Sequence, residues 1–88
     1  MSKILNLSKD NWEKEIRDSD LSETTKQLLI RAVQARVSDQ KYPYVSEEGF
    51  NAIIGQVYFI RLGPIGLILE KSKRGGQPTL SLRREDYS

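Results

Sequence analysis

The residues of this chain best suited to chemistry are cations, and they crowd its last third. Arg61, Lys71, Lys73, Arg74, Arg83 and Arg84 fall in a stretch whose one acid is Glu70, while the rest of the chain holds eight basic and eleven acidic residues. A formal charge of +2 therefore hides a lopsided distribution. Such cations can neutralise the phosphates of DNA or RNA, each contact adding to a salt-dependent affinity, or meet the acidic surface of a protein partner. Phe59 stands two residues before Arg61, which in a strand sets ring and guanidinium on one face, the arrangement of an aromatic stacking beside a cation. These seven residues are the expected partner-binding set. Against that reading stands a simpler one, because strand edges and turn tips are routinely charged to block edge-to-edge pairing.

Catalysis finds little to work with. The chain has no His and no Cys, so the commonest general base and the strongest nucleophile are both absent. Neither a disulfide nor a zinc site with Cys or His ligands can form. Carboxylates pair at Asp18/Asp20, Glu47/Glu48 and Glu85/Asp86. All three pairs fall at element ends among polar neighbours, where solvated carboxylates are usually inert. No loop has the dense Asp/Asn/Gly spacing of a calcium site. The glycines form neither a dinucleotide fingerprint nor a phosphate-cradling loop that opens a helix, so they read as turns. No cofactor or metal is expected, and an enzyme using carboxylate or tyrosine is a distant third possibility.

These cations need a folded support. Leu, Ile, Val and Phe make up 24 of the 88 residues, above the range of disordered chains, so a core is expected. One domain spanning residues 1–88 fits the length. A chain this short buries only about 60–65% of the surface its unfolded form exposes, so a homodimer is one way to bury more. Apolar runs stop far short of the ~20 residues that span a bilayer, and the N-terminus has no apolar run of secretory length. The expectation is a cytoplasmic protein with no membrane partner.

Residues 3–8 alternate imperfectly and are expected as a short strand. Ser8 or Asp10 can cap a first helix carrying Trp12 and Ile16, which the Arg17–Asp20 cluster ends. Ser22 opens a second helix whose apolar stripe is Leu21, Leu28, Leu29, Ala32, Val33 and Val37, widened by Ile30 and Ala35. Pro43 then breaks the helical pattern within Tyr42-Pro43-Tyr44, a loop that either caps the core or anchors an interface. Ser46 starts a third helix with Phe50, Ile53 and Ile54 inside, ended by Gly55.

Strands are expected over 56–62, 65–73 and 77–84. Pro64 at the second and Gly66 at the fourth position suit a type I turn, with a bulge at Gly66 as an alternative. Gly75-Gly76 suits a two-residue turn with positive φ at both central sites. That turn opposes Leu69 with Leu82 and Lys71 with Leu80, putting three leucines on one face and Glu70 diagonal to Arg83 on the other. The 56–62 strand is apolar on both sides, with Val57 and Phe59 on one and Tyr58, Ile60 and Leu62 on the other. That pattern marks a central strand, covered on both faces or half-covered and used in an interface.

The expected fold is two-layer α+β: an antiparallel three- to four-stranded meander with helices on one face, in the order β-α-α-α-β-β-β. The expected function is a non-catalytic regulatory or adaptor protein that binds a protein partner through its sheet and basic hairpin. The alternative is a DNA- or RNA-binding protein using the same cations. A winged helix fits poorly, since its recognition helix would begin Ser46-Glu-Glu and meet phosphates with two carboxylates.

Overall fold

The computed structural model describes residues 4–85. Lys3, at the start of the expected first strand, and Asp86, of the last carboxylate pair, lie outside them. The elements run β1 (Ile4–Leu7), α1 (Trp12–Arg17), α2 (Glu23–Val37), α3 (Glu47–Gln56), β2 (Phe59–Leu62), β3 (Ile65–Arg74) and β4 (Gln77–Glu85). This is the expected α+β order. The four strands form one sheet ordered β1-β2-β3-β4. The last three form the antiparallel meander, whereas β1 lies parallel to β2, so the sheet is mixed. Three helices between β1 and β2 make a crossover, which returns the chain in the same direction.

Both serine-capped helices form where the sequence places them. Ser22 is extended at the N-cap of α2 and its hydroxyl accepts from Thr25 N–H; Ser46 does the same for α3 with Gly49 N–H. The first helix departs from expectation, since Asn11 and not Ser8 or Asp10 is its N-cap. Ser8 serves one turn earlier, accepting from Asn11 N–H while its own N–H donates to Glu15.

Helix α3 runs through Gly55 to Gln56. Gly55 is not among the glycines with positive φ, and the Gln56 side chain ties the last turn to Ser22 and Thr25 of α2. Tertiary anchoring outweighs the propensity of one glycine. Consequently β2 starts at Phe59, three residues later than expected.

The core lies between the helices and one face of the sheet. Ile16, Leu29, Ala32, Val33, Phe50 and Ile53 pack against Leu7, Ile60, Leu62, Leu67, Leu69, Leu80 and Leu82. The expected leucine face is thus present, and Leu67 extends it. Val37, the last residue of α2, departs from the stripe and is 50% exposed, while Ala35 in the same turn stays buried. At the opposite end of the helix Thr25, which the stripe did not include, is buried.

The β3–β4 register is the expected one, with Leu69 opposite Leu82 and Lys71 opposite Leu80. Gly75 and Gly76 have φ of 62° and 83°, the left-handed pair a type I′ turn requires. The other turn differs. Leu62 pairs with Ile65, so Gly63 and Pro64 are its central residues. Gly63 has φ 60°, and proline fixes a negative φ after it, the signature of a type II′ turn rather than type I. Pairing continues from Arg61 to Gly66 without a bulge.

Candidate interaction surface

Strand geometry sends alternate side chains to opposite faces, and the register sorts the candidate residues accordingly. Lys71 and Lys73 are in step with Leu69, and Arg84 is opposite Leu67, so these three follow the helix-covered face. Phe59, Arg61, Arg74 and Arg83 belong to the opposite face, over which no helix of the described residues packs. The expected cationic ladder is therefore split between two sides of the sheet. Along the strand direction, Arg61 sits beside Gly66 and Arg74 lies eight residues further along β3, about 26 Å at ~3.3 Å per residue.

Several of these groups are already engaged. Lys71 Nζ donates to Glu47 at the start of α3, 3.2 Å away. Arg83 pairs with Glu70, the diagonal contact expected from the register. Arg74 Nε donates to the Tyr44 hydroxyl at 3.3 Å, and its guanidinium carbon lies 4.4 Å from the centre of the Tyr44 ring, a cation–π distance. Phe59 is only 8% exposed. Its ring tip fills the space above Gly66, where a Cβ would come within 2.7 Å of it. Close approach of the ring, not turn geometry, is what requires glycine at position 66.

Across the open face the pairings place residues in rows. One row is Ile4, Phe59, Ile68 and Arg83; the next is Asn6, Arg61, Gly66 and Glu85. Tyr58 joins them because the chain bends there. Val57 is extended, 1% exposed and part of the core, so it does not share the face of Phe59 as simple alternation implies. Tyr58 is left 51% exposed. Ile4, Tyr58, Phe59, Arg61, Ile68 and Glu85 line a shallow cleft of about 310 Å³. Arg61, Arg83, Glu70 and Glu85 surround this apolar centre with two charges of each sign.

Toward the hairpin tip the open face turns polar. Ser72 and Ser81 hydroxyls lie 2.9 Å apart and Ser81 also donates to the Glu70 carbonyl. The 42–45 segment closes this end. Val45 N–H donates to Pro78 O and Leu80 N–H to Pro43 O, and the Tyr42 hydroxyl donates to Leu82 O. Tyr42 thus seals the core margin, while Tyr44 is 51% exposed beside Arg74.

Sequence reasoning missed Tyr58, Ile68 and Ile4 as surface groups. An odd–even count along β2 could not reveal the bend that exposes Tyr58. Among the described residues no group of three or more Asp or Glu converges to hold a metal ion, and no helix is long and apolar enough to cross a membrane. Comparison of the chain with models of protein families, with curated proteins and with solved structures finds no match.

Proposed function

We propose that the protein is a non-catalytic adaptor that docks a protein partner on the open face of its sheet. The observation that carries this reading is the pair of exposed apolar side chains Ile4 and Tyr58, which flank half-buried Ile68 over the buried Phe59 ring, inside a rim of balanced charge. An exposed apolar patch with polar borders is the anatomy of a protein interface, and tyrosine is a favoured anchor there. A nucleic-acid partner draws less support. Phe59 is too buried to stack on a base, Glu70 and Glu85 accompany the arginines, and Lys71 and Arg83 already face carboxylates.

The test is affinity capture from the native host, with and without nuclease, using the wild-type chain and Tyr58→Ser. A nuclease-resistant protein retained by the wild type and lost with Tyr58→Ser is the expected result. Captured material that disappears on nuclease treatment assigns the surface to DNA or RNA. A captured protein indifferent to Tyr58→Ser overturns the sheet face as the dock. Sedimentation of the purified chain detects a second copy as the competing occupant, since a dimer lost in Tyr58→Ser would mean the face serves self-association.

A further inference from the structure

A second concavity lies at the flank of the sheet, between α2, the loop after it and the tip of the β3–β4 hairpin. It measures about 410 Å³, and its polar lining is Arg31, Gln40, Lys41, Tyr42, Tyr44 and Arg74. Three cations from three separate segments converge there, and among the described residues no carboxylate lines it. The ion pairs Arg17–Glu13, Lys71–Glu47 and Arg83–Glu70 involve none of the three cleft cations. In a chain with twelve acidic residues, three like charges gathered without an acid maintain a local positive potential that attracts an anion.

The supports are ordered before any ligand arrives. Tyr44 takes the Nε of Arg74 and stacks on its guanidinium, which leaves the two terminal nitrogens to grip a pair of oxygens. Gln40 N–H is fixed on Ala35 O at 2.8 Å, and Pro43 and Val45 are annealed to β4. Lys41 and the Gln40 amide thus project from a backbone pinned at both ends, which lowers the ordering cost of binding.

We propose that this cleft binds a small molecule through its phosphoryl group, with Arg74 as the fork and Arg31 and Lys41 as flanking charges. Its volume falls in the small-molecule range of roughly 300–1,000 Å³. Nothing in this assignment depends on the surface formed by Ile4, Tyr58 and Ile68.

The probe is inorganic pyrophosphate, titrated into the ¹⁵N-labelled full chain at constant ionic strength, with a mixed-sequence oligonucleotide as a second arm. Saturable shifts confined to residues 31, 40–44 and 74–76 are expected. Arg74→Gln should weaken binding about tenfold, equivalent to ~1.4 kcal/mol. Arg31→Gln and Lys41→Gln, both at exposed positions, should each weaken it severalfold, whereas Lys73→Gln, which is not among the residues lining the cleft, should leave it unchanged. Shifts that fail to saturate, spread over Lys71, Lys73 and Arg83, or respond equally to Lys73→Gln overturn the site. Tighter binding of the oligonucleotide, with shifts along the whole hairpin, overturns the small-molecule assignment.

Discussion

Replacing Gln56 by Ala removes the clasp that joins the end of α3 to the start of α2. The Gln56 Oε1 accepts from Ser22 N–H at 2.9 Å. Its Nε2 lies 3.0 Å from Thr25 Oγ1, 3.3 Å from Ser22 Oγ and 3.2 Å from Ala52 O. An amide has two hydrogens for those three acceptors, so about three bonds in all are lost, each worth a net ~1 kcal/mol. Water can replace the partner of the exposed Ser22 N–H, and Thr25 Oγ1 still accepts from Ser22 Oγ at 2.9 Å. The expected loss is therefore about 2 kcal/mol, read as a lower urea midpoint at unchanged slope, or a Tm lowered by roughly 8–16 °C at 4–8 °C per kcal/mol. Gln56→Glu should lose less than half as much, because both hydroxyls can turn to donate and a carboxylate is favoured beside the N-terminus of α2. In a cycle with Ser22→Ala, the two changes should couple by about 1 kcal/mol. A Gln56→Ala change within ~0.5 kcal/mol of wild type, the level of an ordinary surface substitution, would refute the clasp.

The other expectations concern the core, a strained turn and a surface pair. Leu69→Ala and Leu82→Ala remove side chains that are 6% and 3% exposed, and each should cost about 2–5 kcal/mol in urea unfolding; Val37→Ala should change stability by less than ~0.5 kcal/mol. Asp39 has φ 54° just beyond α2, a conformation that costs an L-residue about 1–2 kcal/mol. Asp39→Gly should stabilise the protein by about 0.5–1 kcal/mol, net of the added freedom of the unfolded glycine, read as a higher urea midpoint. Arg83→Gln should cost less than ~1 kcal/mol, because its pair with Glu70 is 58% and 38% exposed.

The parts of the fold legible in the sequence are those with local causes. Ser22 and Ser46 announce helix starts through their own hydroxyls, and Gly75-Gly76 dictates a register that carries Leu69, Leu80 and Leu82 inward together. Expectation failed where a distant residue decides. Gly55 reads as a helix end until Gln56 reaches across to Thr25, 31 positions away. Gly66 reads as a turn residue, yet its lack of a side chain answers to the Phe59 ring. The Leu62–Ile65 turn was ambiguous because glycines at 63 and 66 flank Pro64, and only pairing chooses between them. The candidate surface suffered most. A run of cations along the chain says nothing about their faces, and the strand period divides Lys71, Lys73 and Arg84 from Arg61, Arg74 and Arg83. The gathering of Arg31, Lys41 and Arg74 has no linear signature at all.

The parallel placement of β1 has a consequence for the order in which the molecule assembles. Its pairing joins Ile4 to Phe59, a separation of 59 − 4 = 55 residues, whose closure costs about 3.5 kcal/mol beyond a constant by (3/2)RT ln n. The two hairpins close over two residues each, so the meander can form while the N-terminal strand is still searching. Until that strand arrives, the Phe59–Leu62 backbone is an apolar edge, open to strands of other molecules. The first strand is thus the late-arriving guard of β2, and a chain shortened at that end is expected to aggregate during refolding before it shows any loss of core packing.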